Sequence, residues 1–368
     1  MKIVEVITFL GSGGAERFMV DLSNELSKTN EVYLLTILDD KKDSEIRNFY
    51  RFAIDNSRVH YINLGLPNGL SYSNQVAVKK AIEYLAPDIV HLHLACTLNY
   101  CAWATLSLAW KYKMYFTIHS DLHNGYDRGF FKLICNTLGR LRKFKLACLS
   151  NKNYADFKVF YPHTPIKCIV NGRAPIEPTE CYNEVAEEMN GYRHAVDSKL
   201  FVHIARFHPV KNQSLLVESF NELINEGANV DLVVIGANYD CEDGIKLQQK
   251  ANKRIHFIGA HKNISDYILN ADIFCLSSDY EGMPITLLEA SLAGVPAVST
   301  PVCGAVDLIQ NGINGYLSKD HSLEEYKKAI IKAVEDYHSL KSNAMIMKDN
   351  SPYTIAECAK KYMEYFKA

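Results

Sequence analysis

The sequence predicts an α/β protein of two domains, each built on its own parallel sheet. Three observations carry this. Short apolar runs alternate with amphipathic stretches along the chain, the pattern of strand–helix units whose strands lie parallel with helices on both faces. The alternation breaks in a polar stretch after residue 172 and restarts near residue 199. The length, 368 residues, suits two domains of roughly 100–200 residues each.

Taken in order, "KIVEVITF" reads as a buried strand and "GSGGAE", Gly11 to Glu16, as a turn. "RFMVDLSNELSK" reads as a helix with Phe18, Leu22 and Leu26 on one face beside Met19. The strands "EVYLLTIL", "RVHYINL", "DIVHLHL", "KMYFTIH" and "FKLACLS" follow, with helical segments between them, and "KCIVNG" closes the half. "GRAPIEPTECYNEVAEEMNGYRHAVDS" holds two prolines, two glycines and no strand period, and reads as a linker. The second half runs "KLFVHIAR", "VDLVVIGA", "RIHFIG", "DIFCLSS" and "PAVST", each followed by a helical stretch. The expected organisation is two Rossmann-like domains, 1–172 and 173–352, facing a cleft. "SPYTIAECAKKYMEYFKA" at the end opens on Ser-Pro and runs into a long helix.

Composition narrows the class. Hydrophobic residues make up 48% and charged residues 22%, the balance of a globular enzyme rather than a disordered chain. A net charge of −2 gives no general attraction for nucleic acid. Ten cysteines without a C-x-x-C pair fit reduced thiols in the cytoplasm better than a disulfide or zinc framework. The N-terminus lacks the pattern of a signal peptide, and no apolar run approaches the length of a membrane span.

Candidate chemistry lies where open α/β sheets place it, at the carboxyl ends of strands. Glycines in "GSGGAE" let backbone approach a phosphate or sugar at a helix N-terminus, or form a tight turn alone. Glu16 stands where a dinucleotide fingerprint needs a small residue. His91 and His93 share one side of a strand, and read as a metal pair or as packing. His119 ends the strand "MYFTIH", a place to touch substrate or to brace the fold. Arg206 and Lys211, in "HIARFHPVKN", suit a diphosphate whose charge grows as it leaves, or a solvated loop. In "SSDYEGMPITLLEA", Pro284 suits the first helical position. The amides from Gly282 to Thr286 then face a phosphate or hydroxyl. Glu281 in the loop and Glu289 in the helix can accept from sugar hydroxyls, a ribose diol above all. With no D-x-D present, a metal-bound diphosphate is disfavoured.

These residues resemble a family. "GSGGAERFMVDLSNELSK", "TIHSD", "IVNG", "IARFHPVKNQSLLVESF" and "EGMPITLLEASLAGVPAVSTPVCGAVDLIQNGINGYL" are similar over nearly the whole chain to the retaining glycosyltransferases of family 4, with the GT-B fold. The resemblance implies that Arg206 and Lys211 bind the donor diphosphate, together with Gly13 and Gly14 of the N-terminal loop. It implies that Glu289 holds the nucleotide ribose, with Gly259, Ala260 and His261 near the base. Glu281 would face the donor sugar, and His119 its C6 hydroxyl, as the two catalytic positions. Gly282, Met283, Pro284, Ile285 and Thr286 would supply backbone contacts to the sugar. The last helix, 353–368, would pack back on the first domain. Three departures stand out: Ala205–Arg206 replaces the family's Gly-Arg, Lys211–Asn212 its Lys-Gly, and His119–Ser120 its frequent His-Asp or His-Gly.

The expected reaction is retaining, metal-independent transfer of a hexosyl group from a nucleotide diphosphate sugar, UDP-linked, to a hydroxyl of a glycan or lipid-linked glycan in cell-surface polysaccharide synthesis. The nucleotide sugar is a co-substrate, so no cofactor is expected. Two rivals are a sugar-nucleotide epimerase of the same fold and a non-catalytic nucleotide-sugar-binding subunit. The segment 127–147 interleaves Arg128, Lys132, Arg140, Arg142, Lys143 and Lys145 with Phe130, Phe131 and leucines. It suits an anionic membrane surface or a solvated helix face; the first would place this expected cytoplasmic enzyme on the inner face of the plasma membrane.

Overall fold

A computed structural model of the chain describes all residues except 12, 42–46, 70, 121 and 124. Ser12 of the glycine turn and Asp121 of "TIHSD" therefore lie outside the described residues. The chain divides into two units: Met1–Ala174 with Tyr353–Ala368, and Pro175–Pro352.

Unit 1 runs β1 (Lys2–Ile7), α1 (Gly14–Leu26), β2 (Glu31–Leu38), β3 (Val59–Leu66), α2 (Tyr72–Leu85), β4 (Ile89–His93), α3 (Ala95–Leu108), β5 (Lys113–Ile118), α4 (Gly129–Ile134), β6 (Phe144–Cys148), α5 (Asn151–Phe160) and β7 (Ile166–Cys168). The strands form one parallel sheet in the order β3-β2-β1-β4-β5-β6-β7. Strand alternation sends Val4, Val6, Val90, Leu92, Phe116 and Leu146 into the core on one face. On the other face Ile3, Ile7, Ile89 and Tyr115 pack with Phe18, Met19 and Leu22 of α1.

Unit 2 runs α6 (Tyr182–Gly191), β8 (Lys199–Ile204), α7 (Gln213–Asn225), β9 (Val230–Ile235), α8 (Glu242–Lys250), β10 (Ile255–Phe257), α9 (Ile264–Leu269), β11 (Ile273–Leu276), α10 (Ile285–Leu292), β12 (Ala297–Ser299), α11 (Ala305–Leu308), β13 (Gly315–Leu317), α12 (Leu323–Glu335) and α13 (Tyr337–Asp349). Its parallel sheet has the order β10-β9-β8-β11-β12-β13. Phe201, Leu232, Ile273 and Cys275 meet Leu216 and Phe220 of α7 and Tyr326 and Ile330 of α12 in its core.

The supposed linker is partly structured. α6 buries Val185 and Met189, one helical turn apart. Around it, the Thr179 hydroxyl and amide bond the Asp266 carboxylate, and the Tyr267 hydroxyl donates to Glu188 at 2.9 Å. The polar surface of this short helix hid its period.

α14 (Ile355–Lys367) closes unit 1. Thr354 caps it by accepting from the Glu357 amide at 3.3 Å. Its buried face, Ile355, Cys358, Ala359, Tyr362, Tyr365 and Phe366, lies on the α1 side of the sheet. The Tyr115 hydroxyl donates to the Tyr365 carbonyl at 2.9 Å, and the Tyr365 hydroxyl to the Leu146 carbonyl at 3.1 Å. At roughly 1.5–3 kcal/mol per large apolar side chain buried, unit 1 depends on this last helix.

Candidate active site

In unit 2 two strand exits are tied together. The loop after β8 ends in a short 3-10 turn, Pro209–Lys211. Asn212 then takes a left-handed conformation, φ 46°, and caps α7 by accepting from the Leu215 amide at 3.2 Å. Asn is among the few residues that enter this region at low cost, which explains why it replaces glycine here. Ser277 donates to the Lys211 carbonyl at 2.9 Å, and the Asp279 amide to the Val210 carbonyl at 2.8 Å. Asn212 donates to Asp279 at 2.9 Å.

On this frame the Lys211 ammonium donates to Glu281 Oε1 at 2.6 Å, and the Ser278 hydroxyl donates to the same oxygen at 2.7 Å. The Thr300 hydroxyl holds the Ser278 carbonyl at 2.6 Å. The side chains of Lys211 and Glu281 are 25% and 13% exposed. Partial shielding strengthens their attraction, but most of that gain offsets desolvation. The arrangement therefore stores a cation and a carboxylate in position more than it adds stability.

Beyond Glu281 the chain buries Gly282, Met283 and Pro284 and enters α10 at Ile285. Pro284 stands one position before the first helical residue. It carries no N–H, and its carbonyl accepts from the Leu288 amide at 3.0 Å. It shapes the turn but donates to no ligand, which corrects its place among the backbone donors. No side chain among the described residues caps α10, so the first-turn amides of Ile285 and Thr286 are available to an anion. Glu289 is 8% exposed and shares a helix face with Ile285 and Thr286 by its spacing.

Gly304, not among the residues expected at the site, sets this turn. At φ 74° it lies so close that a Cβ would stand 2.8 Å from Pro284 Cδ and 2.9 Å from Met283 Cα. Its signal was the glycine in "PVCGAV".

Arg206 is exposed and has no ion pair among the described residues; its carbonyl accepts from Gln213 at 3.0 Å. Gly259, φ 78°, and Ala260 are exposed, and the Gly259 carbonyl accepts from the Gly236 amide at 2.8 Å. The His261 ring is committed to the frame. Nε2 lies 3.0 Å from the Ile258 carbonyl and Nδ1 3.0 Å from the Tyr267 hydroxyl. What this segment leaves open is its backbone at Gly259 and Ala260.

In unit 1, Gly13 precedes α1 and Gly14 begins it. A Cβ on Gly13 would sit 2.4 Å from Glu16 Oε2. The turn thus folds over its own carboxylate, which answers the partial positive charge of the helix start. A carboxylate thus stands beside Gly13, one of the two glycines that the resemblance assigns to the donor diphosphate.

His119 follows β5, partly exposed. Behind it lies a polar cluster inside the sheet. Register pairs Glu5 with His91, and His93 with Thr117. Glu5 Oε2 accepts from His93 Nε2 at 2.7 Å and stands 2.8 Å from His91 Nδ1. His91 Nε2 meets the Thr117 hydroxyl at 2.7 Å, which meets the Tyr362 hydroxyl at 2.8 Å. His93 Nδ1 lies 3.0 Å from His119 Nε2. Glu5, His91 and His93 are fully buried. Burial alone would raise the Glu5 carboxyl, but the rings of His91 and His93 override it and hold the group at about 2. Burial, then His91, bring His93 down to about 4 against the pull of Glu5.

Glu5, His91 and His93 also form a cluster whose donor atoms lie near enough to hold a metal. Glu5 Oε2 bonds His93 Nε2 directly, while Glu5 Oε1 and His91 Nδ1 are buried without a hydrogen-bond partner among the described residues. Glu5 comes from the middle of β1, not from a strand end, so spacing along the chain does not point to it.

Comparison with known proteins matches both units. The description "Glycosyltransferase Family 4" covers residues 12–172, and "Glycosyl transferases group 1" covers residues 184–350. A putative glycosyltransferase, EpsF, of Bacillus subtilis is 25% identical over 335 residues, 81% of this chain and 78% of that protein. An Escherichia coli UDP-Gal:alpha-D-GlcNAc-diphosphoundecaprenol alpha-1,3-galactosyltransferase is 23% identical over 273 residues, 71% of this chain and 70% of that protein. A probable sucrose-phosphate synthase of Thermosipho melanesiensis is 30% identical over 168 residues, but these span only 39% of its length. The crystal structure of Anabaena HepE in complex with UDP and glucose shares the fold, with a TM-score of 0.78 at 17% identity, covering 100% of this chain and 99% of that one. With one family description on each parallel-sheet unit, the chain belongs to the family 4 glycosyltransferases of GT-B fold.

Proposed function

We propose that the protein transfers a hexosyl group, with retention of anomeric configuration, from a UDP-linked sugar to a hydroxyl of a glycan or lipid-linked glycan during cell-surface polysaccharide synthesis. The observation that carries the proposal is the Lys211–Glu281 pair beside the uncapped start of α10. A cation, a carboxylate and free amides there meet a phosphate, sugar hydroxyls and an oxyanion in turn. The UDP-sugar named for the E. coli relative, and the UDP bound by HepE, support the choice of donor.

Lys211 and Arg206 neutralise the diphosphate as the glycosidic bond breaks, and the amides of Ile285 and Thr286 share its charge. No divalent metal is required for this role. Glu289 accepts from the ribose hydroxyls. Glu281 accepts from hydroxyls of the sugar, and His119 from another. The leaving phosphate takes the proton of the incoming acceptor hydroxyl on the same face, through an oxocarbenium-like transition state, by analogy with glycoside hydrolysis.

We propose further that unit 1 meets anionic lipid through segment 127–147 and the tryptophans that precede it in sequence. Trp103, Trp110, Leu133 and Leu141 are 62%, 64%, 47% and 57% exposed. Lys143 lies over the Trp110 ring at 5.7 Å, and Arg140 and Arg142 are exposed nearby in sequence. Phe131, expected on this surface, is instead in the core, and Phe130 packs half-buried against it. Within the segment the exposed large apolar side chains are Leu133 and Leu141.

The test is incubation of a UDP-hexose panel with a polyprenyl-diphosphate-linked sugar in EDTA. Product with retained configuration, seen by NMR, supports the proposal. Isomerised donor without acceptor would point to an epimerase, and binding without turnover to a non-catalytic subunit.

A further inference from the structure

The buried cluster behind His119 has a direction. A carboxylate without its proton can only accept, so the 2.7 Å contact between Glu5 Oε2 and His93 Nε2 requires the proton on His93 Nε2. A neutral His93 then presents a bare Nδ1. Its partner at 3.0 Å, His119 Nε2, must supply the proton of that bond. A neutral His119 with its proton on Nε2 leaves Nδ1 bare, and no partner for Nδ1 occurs among the described residues. Which nitrogen of a histidine is free is set by the bond the other makes.

We propose that Glu5 and His93 are positioning residues that fix His119 as its Nε2–H tautomer, so that Nδ1 accepts a hydrogen bond from a substrate hydroxyl. The proposal deepens the function given above and rests on His119 as a sugar contact. The surroundings favour neutral rings. Burial, then His93 and His91, hold the His119 ring well below its ordinary value. Phe18 covers both rings edge-on, with centroids 6.3 Å from His93 and 5.8 Å from His119. His91, 2.8 Å from the same carboxylate but without a hydrogen bond to it, starts a second branch through Thr117 to Tyr362. That branch ties His91 to α14 and does not reach His119. A glutamate inside an apolar strand is costly to bury. A network that orients a functional ring gives it a purpose.

Selective 15N-histidine labelling of the full chain tests this. Long-range 1H–15N spectra distinguish the two neutral tautomers, and the His119 signals are assigned by their loss in His119→Asn. At pH 7.5 the wild type is expected to show His119 protonated on Nε2 alone. In His93→Gln and Glu5→Gln the pattern should become mixed, with kcat reduced on the order of tenfold, the effect of one misdirected bond, and KM for UDP-sugar nearly unchanged. Tyr362→Phe, which cuts only the second branch, should leave the His119 tautomer as it is. A wild-type His119 protonated on Nδ1, or a pattern unmoved in a folded His93→Gln, overturns the proposal. If either relay variant does not fold, the wild-type spectrum still decides. If the tautomer is as stated but His119→Asn turns over normally, the relay stands and the sugar-contact role of His119 falls.

Discussion

The Lys211 ammonium lies 2.6 Å from Glu281 Oε1, with Ser278 on the same oxygen at 2.7 Å. Without ligand, the cation assigned to the donor phosphate rests on the carboxylate assigned to the donor sugar. The two substitutions should therefore differ. Lys211→Ala removes a charge-assisted contact and should weaken UDP binding roughly 10- to 100-fold in calorimetric titration. Glu281→Gln frees Lys211, so UDP should bind as well or better while kcat falls. Equal weakening of UDP binding in both variants would separate the pair from these roles.

Glu289 should recognise the ribose diol. Wild-type protein is expected to bind UDP more tightly than 2′-deoxy-UDP by about tenfold, one good hydrogen bond to a charged group. Glu289→Ala should bind the two nucleotides alike. A thermal-shift titration with both ligands measures this, and discrimination that survives in the variant would place the ribose elsewhere.

Gly304→Ala should damage the turn before α10 from outside it. The new Cβ meets Pro284 and Met283 at under 3 Å, in a left-handed conformation. A cost of roughly 1–3 kcal/mol is expected, seen as a lower melting temperature, with loss of turnover at temperatures where the variant is folded. Gly227→Ala also carries the left-handed strain, φ 91°, but meets nothing within 4 Å. It should keep its turnover.

Acid should destabilise both units. Burial brings His203 in unit 2 to about 4, against the Cys275 carbonyl that favours its charged form. Between its ordinary 6.5 and 4 the unfolded chain binds the extra proton, so stability falls as pH falls through that window. His203 alone contributes a loss of about 2 kcal/mol between pH 7 and 5. His93 acts in the same window in unit 1, and Glu5 adds a further loss between 4.5 and about 2. Scanning calorimetry should show melting temperatures dropping from pH 7 to 5, with a shallower slope for unit 2 in His203→Gln. A flat profile in the wild type would contradict the buried neutral histidines.

Much of the fold was readable because strand and helix periods differ, and both sheets announced themselves as apolar runs ending in glycine or polar turns. α6 escaped because two apolar residues in a charged segment give too little period. Within the site, Lys211 and Glu281 were legible as charges at strand exits. Their direct contact was not, since it depends on loops pinned by Ser277, Asp279 and Asn212. Glu5 was hidden for the opposite reason: it lies inside a strand, where a single charge reads as an interruption, and only register shows that it faces His91. The carboxylate of Glu16 over Gly13 likewise depends on a backbone turn that spacing does not specify.

The most direct measurement is a crystal structure with UDP bound. The account predicts the diphosphate within hydrogen-bond reach of Lys211, Arg206 and the first amides of α10, with the Lys211–Glu281 contact opened and the ribose hydroxyls on Glu289. UDP bound away from these residues, with Lys211 still on Glu281, would contradict it.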